Sequence, residues 1–512
     1  MKKHLLRGIG VVAILAAMTF GSVSLAGPAD DTLNVAMAAE VLDLDYLYTT
    51  RREYIILAQL TDATLFTMNP ETRGIDPGVA LSHEFVDDLT IDVTLRDDVL
   101  FHDGTPLTAA DVAYTFNWVV DEASESHAHG LISRWLERAE VLGEHSVRFH
   151  LRAVNPLIIR DMAQRIPLRK ADTYHQGTEV DRDAMAINLI GAGPYRVVRF
   201  NPGVELVLER FDDYYGEAPA IRNVVVRNLP DMGTQQAELM TGGINMMFNV
   251  PLDVARSLDA RPDIDHLSGP DLRVSFIVLD AGGLAVSGGP LTNLKVRQAM
   301  NHAVNRPEIA EFLMGGGAAQ PIHTACHPVQ FGCVQDVARY EYDPEKARAL
   351  LAEAGYPNGF DLELWAYRER PVAEAVMADL EAIGIKINLR YVQLESLNQA
   401  RANQDIAAYI GTWGSSGVAD TALIARVHFS DTSDRHLSGD AEVVAWVLGA
   451  EETADQAVRE ELYRSAITRI AEQAYWVPLV SYSADYLVTS DLDFPLDDDG
   501  VPRLQNARWK QP

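Results

Sequence analysis

The sequence predicts an α/β protein built as more than one lobe, and three observations carry that prediction. Short apolar runs alternate with helical stretches punctuated by Gly and Pro along the chain beyond residue 26. A strand-helix-strand unit is legible between Asp361 and Val392. The chain has 512 residues and 47% apolar content, more than one ordinary core organises.

In chain order, Met1 to Ala26 begins with Lys2, Lys3 and Arg7, continues through an apolar run from Gly8 to Phe20 and ends in small residues at Ser24-Leu25-Ala26. This pattern predicts a cleaved secretory signal over residues 1–26. The apolar run is shorter than the roughly 20 residues of a membrane span. No cysteine follows Ala26 to take a lipid, so the expected location is periplasmic and untethered. Removing the signal's three basic charges would take the net charge from −30 to −33. Such a balance disfavours nucleic acid and anionic membranes as partners.

The segment "LRDDVLFHDGTPLTAADVAYTFNW", Leu95 to Trp118, reads as a strand, a turn at Asp103-Gly104 and a helix opened by Thr108, with Asp111 placed to reach back to it. It carries no reactive group. Further on, Val296, Ala299, Met300, Ala303 and Val304 make the buried stripe of a helix. Cys326 and Cys333 stand close together in "HTACHPVQFGCV", which in an oxidising compartment reads as a disulfide closing a short loop. His323, Cys326, His327 and Cys333 can also be written as four zinc ligands, although their spacing matches no common zinc site. Asp343-Pro344 opens a helix that buries Ala347, Leu350, Leu351 and Ala354 and stops at Gly355. The strand from Asp361 to Trp365, the helix from Val372 to Ile383 and the strand from Ile385 to Val392 complete the unit, whose two strands should be parallel.

Catalytic signatures are missing from the sequence. There is no phosphate-binding G-x-x-x-x-G-K-[ST], no H-E-x-x-H and no G-x-S-x-G, and "DDDG" at Asp497 to Gly500 lacks the alternating ligands of a calcium loop. The reading is therefore a non-enzyme without cofactor or resident metal. The alternative of another class is a secreted zinc or thiol enzyme centred on Cys326 and His327.

Five blocks resemble the periplasmic peptide-, nickel- and opine-binding proteins of ABC importers. The Leu95–Trp118 segment is similar to the family's F-x-D-G, proline and capped-helix signature. "GAGPYRVVRFNPG" and "RFDDYYG" are similar to its G-T-G-P-Y and N-x-x-Y-W-G blocks. "LTNLKVRQAMNHAVNRPEI" resembles the V-R-Q-A helix, with Asn305 where aspartate is common, and "YDPEKARALLAEAGYPNGFDLELW" resembles the D-P-E-K-A block. The likeness runs from about Leu33 to Val488.

The resemblance implies a two-lobed periplasmic-binding-protein fold with a hinge and an inserted subdomain. Residues 27–54, 189–270 and 477–512 would form a discontinuous first lobe, 55–188 its inserted subdomain and 271–476 the second lobe. The crossings would fall near "LRVSFIVL" and "WVPLVSY". It also implies a function: capture of a small, polar, carboxylate-bearing solute, such as a peptide, an opine-like compound or an amino-acid derivative, and its delivery to a permease by a monomeric protein. A general oligopeptide binder is the alternative within the class.

The resemblance places ligand contacts on three segments. In "YIGTWGSSGVADTALI" Trp413 would wall the pocket, and Ser416 stands where peptide binders carry the aspartate that holds an ammonium. Ser415 and Ser416 would then favour a ligand of different polarity, unless Asp420 replaces the missing acid. In "WAYRERPVAEAV" Arg368 or Arg370 would pair with a ligand carboxylate. Tyr46 and Tyr48 would line the cleft from the first lobe. The first histidine after Trp413 is His428, which argues against the family's nickel-binding mode.

Overall fold

The capped helix forms as the sequence predicts. In the computed structural model, which describes residues 27–511 apart from 50, 70, 71, 73, 177, 178, 316, 317, 415–417 and 498, it spans Ala109–Val120. The predicted signal and the serines Ser415 and Ser416 lie outside the described residues. The Asp111 carboxylate accepts from the Thr108 backbone N–H (2.7 Å) and hydroxyl (2.9 Å), and its other oxygen accepts from the Ala171 N–H at 2.7 Å. One short side chain thus caps a helix and ties it to a distant loop.

The preceding turn joins two of the motif blocks. The His102 N–H donates to the Gly191 carbonyl at 2.8 Å, and His102 Nε2 lies 3.0 Å from the Gly193 carbonyl. Gly191 and Gly193 press against the end of the helix Arg52–Thr61, where a Cβ on Gly191 would lie 1.9 Å from the Thr61 carbonyl oxygen. Only glycine permits that approach, which explains the motif without any chemistry.

The long-range frame among the described residues is a ten-stranded sheet. Its centre is a pair of long antiparallel strands, Ile264–Leu279 and Trp476–Thr489, which are the two predicted crossings. On one side of the pair, Thr32–Met37 runs parallel to both Asn223–Asn228 and Met246–Phe248. On the other side stand Ala408–Gly414, Asp361–Ala366 and Lys386–Tyr391. The last two are parallel and joined by the helix Arg370–Ala382, as the strand-helix-strand reading predicts.

Apolar packing divides accordingly. One core runs from Leu33 through Tyr195 and Val226 to Tyr486 and Ala507, and takes in the subdomain's Phe116 and Phe149. A second gathers Val296, Met300, Leu364 and Leu380 with Val477 and Leu479, and a third holds Phe276, Tyr409, Phe429 and Trp476. The result is a mixed α/β, two-lobed molecule whose lobes share the crossing pair. The subdomain carries its own four-stranded antiparallel sheet, and its Leu157 packs into the third core.

Several polar contacts pin the crossing pair. Arg52 makes an ion pair with Asp271 at 3.1 Å and donates to the Gly500 carbonyl, while Arg51 is exposed. His266 Nε2 lies 3.0 Å from Asp485 and its Nδ1 lies 3.3 Å from Asp259, and the two carboxylates raise the histidine pKa. A raised histidine pKa contributes stability that is complete below the unfolded value near 6.5 and fades as pH climbs through the folded value. His266→Asn should therefore lower the melting temperature at pH 5.5 more than at pH 8.5; equal losses at both would remove the charge from the explanation.

Cys326 and Cys333 are disulfide-bonded, so their sulfurs are unavailable for the zinc arrangement or for thiol chemistry. The bond closes a loop of sequence separation 7, for which chain entropy gives about 2–3 kcal/mol. The double variant Cys326→Ala/Cys333→Ala should lose roughly that much in urea unfolding.

Candidate functional site

Open α/β sheets bind ligands beyond the carboxyl ends of their strands. In the second lobe two such ends stand side by side: Ala366 and Gly414 finish neighbouring parallel strands. The residues just beyond and beside them form the candidate site.

Trp413 is the centre of this wall. Its backbone pairs with Val274 of the first crossing strand, and its ring meets His428 edge-on at 5.5 Å. His428 in turn contacts Phe276 and Trp476, which stack at 3.7 Å. This aromatic backing fixes the indole in one orientation. Its Nε1–H is buried and has no hydrogen-bond partner among the described residues. Burial holds the His428 pKa well below the usual value, so the imidazole is neutral there.

Two guanidinium groups stand near the end of this strand, Arg435 beside the Trp413 ring and Arg273 over the neighbouring Gly414. Arg435 lies 5.8 Å from the indole centroid, and burial together with the neighbouring Arg401 charge lowers its pKa. Arg273, on the crossing strand, lies over Gly414 so closely that a Cβ there would sit 2.8 Å from its Nη2, and its other face is 5.9 Å from the Tyr482 ring. Neither arginine has a carboxylate within 4.0 Å among the described residues. In a chain of net charge −30, these two guanidiniums, without a carboxylate neighbour among the described residues, are groups that can bind anionic oxygen. Tyr367 completes the rim, its hydroxyl 2.8 Å from Thr412 Oγ1.

The predicted contacts are distributed unevenly around this wall. Trp413 occupies its middle. Arg368 sits beside it, with its Nε 3.2 Å from Glu369. Glu369 has a left-handed backbone (φ 42°), a strained state for a non-glycine residue. The same Glu369 raises the pKa of Tyr482, after burial, the larger cause. Arg370 points elsewhere: it is 62% exposed, pairs with Glu374 at 2.9 Å one helical turn on and covers the Tyr391 ring at 5.2 Å. Asp420 is corrected from cleft acid to internal ion pair. It is 2% exposed, Arg459 Nη2 lies 2.9 Å from both its oxygens, and the Ala422 N–H binds one of them. An ammonium would have to displace a buried guanidinium to reach it.

The first-lobe tyrosines also take other places. The Tyr48 hydroxyl accepts from Trp118 Nε1 at 3.0 Å, its ring meets Tyr174 edge-on at 5.9 Å, and burial pushes its pKa up to about 12. Tyr46 is buried and lines a cavity to which residues 271–476 contribute nothing. Arg273, Arg435 and Tyr367 were missed in the sequence. Arg435 follows Trp413 by 22 positions and Arg273 precedes it by 140, so no local pattern marks either.

Two lobes joined by adjacent crossing strands, with an aromatic and cationic wall at their junction, define a two-lobed solute-binding protein. The family model for bacterial extracellular solute-binding proteins, family 5, matches residues 74–434, and the chain belongs to that family. Among curated relatives, the glutathione-binding protein GsiB of Escherichia coli O1:K1 / APEC is 27% identical over 435 residues, covering 81% of this chain and 82% of the relative. Among solved structures, the ABC transporter substrate-binding protein CtaP of Listeria monocytogenes superposes with a TM-score of 0.83 at 21% identity, over 94% of this chain and 99% of that one. A dipeptide-binding protein from Pseudoalteromonas sp. SM9913, solved with Met-Leu, gives 0.76 at 22% identity, over 94% and 100%. At these identities the structures establish a shared fold.

Proposed function

We propose that this solute-binding protein captures a small peptide-like or amino-acid-derived solute carrying at least one carboxylate, and delivers it to the permease of an ABC importer. The observation that carries this reading is a pair of guanidiniums without a carboxylate partner among the described residues, Arg435 beside the Trp413 ring and Arg273 over the neighbouring Gly414. A planar guanidinium fork matches a carboxylate in two hydrogen bonds, and the indole offers apolar area at little entropic cost. The glutathione binding named for the relatives fits the same chemistry, since glutathione carries two carboxylates.

The paired Asp420 supports a pocket whose main charge is positive rather than one built around a free-ammonium anchor. In this reading residues 1–26 direct export and are removed, and the mature protein works as a periplasmic monomer without catalysis. The lobes are 27–54 with 189–270 and 477–512, the subdomain 55–188 and the second lobe 271–476. Leu157, Arg134 and Arg160 of the subdomain lie against the second lobe, where burial lowers both arginine pKa values.

The test is calorimetric titration of refolded, ligand-free protein with glutathione, free dipeptides, opine-type dicarboxylates, amino-acid amides and neutral sugars. Binding confined to carboxylate-bearing members is expected. Binding of the amides as tightly as the acids would refute the carboxylate assignment.

A further inference from the structure

The disulfide of the second lobe closes a loop that touches both a crossing strand and the segment beyond Trp413. At the start of the loop Pro321 bridges Val480 of the strand Trp476–Thr489, and the Ile322 N–H donates to the Leu479 carbonyl at 3.1 Å. Cys326, fully buried, then bonds Cys333, which is partly exposed. Inside the closed turn the His327 N–H donates to Gln330 Oε1 at 2.9 Å, and the Cys333 N–H donates to the Gln330 carbonyl at 3.1 Å.

Two residues of this turn reach the segment 418–421. Gln330 Nε2 donates to the carbonyls of Val418 at 3.4 Å and Asp420 at 3.3 Å. Phe331 pairs with the segment through its backbone: its N–H donates to the Ala419 carbonyl and its carbonyl accepts from the Thr421 N–H, both at 3.0 Å. The Phe331 ring also lies 4.8 Å from the Arg459 guanidinium that holds Asp420. The held segment opens the helix Ala422–Phe429, and that helix carries His428, whose ring backs Trp413. From the disulfide to the indole, each link is a printed contact or one short helix.

We infer that the Cys326–Cys333 loop positions the Trp413 wall, with Gln330 and Phe331 as its positioning residues, and that reducing the disulfide loosens the wall. A dithiol supplies the two electrons and two protons: the Cys326–Cys333 bond breaks, two thiols form, and the dithiol closes into its own disulfide. The freed turn regains chain entropy that the bond had removed, and the hydrogen bonds from Gln330 and Phe331 must then hold the segment against that freedom.

This role rests on the wall proposed above as the ligand site, so Trp413 is read first without ligand. Acrylamide quenching of Trp413, isolated as the difference between the full-length protein and its Trp413→Phe variant, is measured before and after dithiothreitol and in Gln330→Met. Reduction and Gln330→Met should each raise the quenching constant and shift the Trp413 emission to the red. Gln330→Met keeps the disulfide and the side-chain volume, so the signal is read in folded protein. His266→Asn, which weakens the crossing pair elsewhere, should leave the signal at the wild-type value, whereas a general loss of stability would move it too. With glutathione as titrant, Gln330→Met should bind about tenfold more weakly than wild type. Unchanged quenching in either the reduced protein or Gln330→Met overturns the inference. A wild type that takes no glutathione while both quenching changes stand counts against the ligand reading alone and leaves the positioning role supported.

Discussion

Arg273→Ala and Arg435→Ala should each weaken binding of a carboxylate-bearing ligand by roughly ten- to a hundredfold, and the double variant by more. Hydrogen bonds to a charged group contribute about 1.5–3 kcal/mol each, and 1.4 kcal/mol is a factor of ten. Neither guanidinium has a carboxylate within 4.0 Å among the described residues, so its removal strands no buried carboxylate there and fold stability should change little. Arg370→Ala is the internal control. Its exposed pair with Glu374 gives it no route to the wall, and ligand affinity should stay at the wild-type level. The calorimetric series discriminates sharply. A large effect of Arg370→Ala with none from Arg273→Ala and Arg435→Ala would place the anion site on the opposite side of the helix Arg370–Ala382.

The largest effect on stability is expected at Arg169, which no ligand argument involves. It is fully buried and bridges two buried acids, Asp62 at 2.7 Å and Asp45 at 2.9 Å, with the Tyr174 hydroxyl on Asp45 at 2.6 Å. Asp45 also accepts from the Leu47 N–H at the turn Tyr46–Tyr48, so the network ties the subdomain to the first lobe's early segment. Arg169→Leu would leave two carboxylates buried without their cation, a change that costs about 3–5 kcal/mol. Calorimetry should show the transition containing the first lobe shifted down while the Trp413 environment, read by fluorescence, unfolds later.

The pH dependence of that variant has a definite sign. Burial already raises the Asp62 pKa in the presence of Arg169, and without the cation it rises further. A carboxylate with a raised folded pKa binds more protons in the native state than in the unfolded one, so folding strengthens as pH falls. The deficit of Arg169→Leu should therefore shrink between pH 7 and pH 5, and Asp62→Asn in the same background should recover part of it at pH 7. A deficit constant with pH would mean that lost packing, and not the stranded charge, is responsible.

The same contrast separates what was legible in the sequence from what was not. The capping residues Thr108 and Asp111, the helix opened at Asp343-Pro344, the parallel strands around Arg370–Ala382 and the paired Cys326 and Cys333 are all local. Periodicity, turn chemistry or short spacing specify them, because the interacting groups are neighbours in the chain. The five ordered blocks were enough to point to the family. The fate of each charge was decided only in three dimensions. Asp420 and Arg459 are 39 residues apart, Asp45 and Arg169 are 124 apart, and whether an arginine is paired depends on which distant carboxylate the fold brings within reach. Arg370 meets a partner one helical turn away, whereas Arg273 and Arg435 meet no carboxylate among the described residues, although nothing in their immediate sequence distinguishes them. Binding specificity follows from what folding leaves unpaired, and so it was written in the tertiary structure while the scaffold was already written in the sequence.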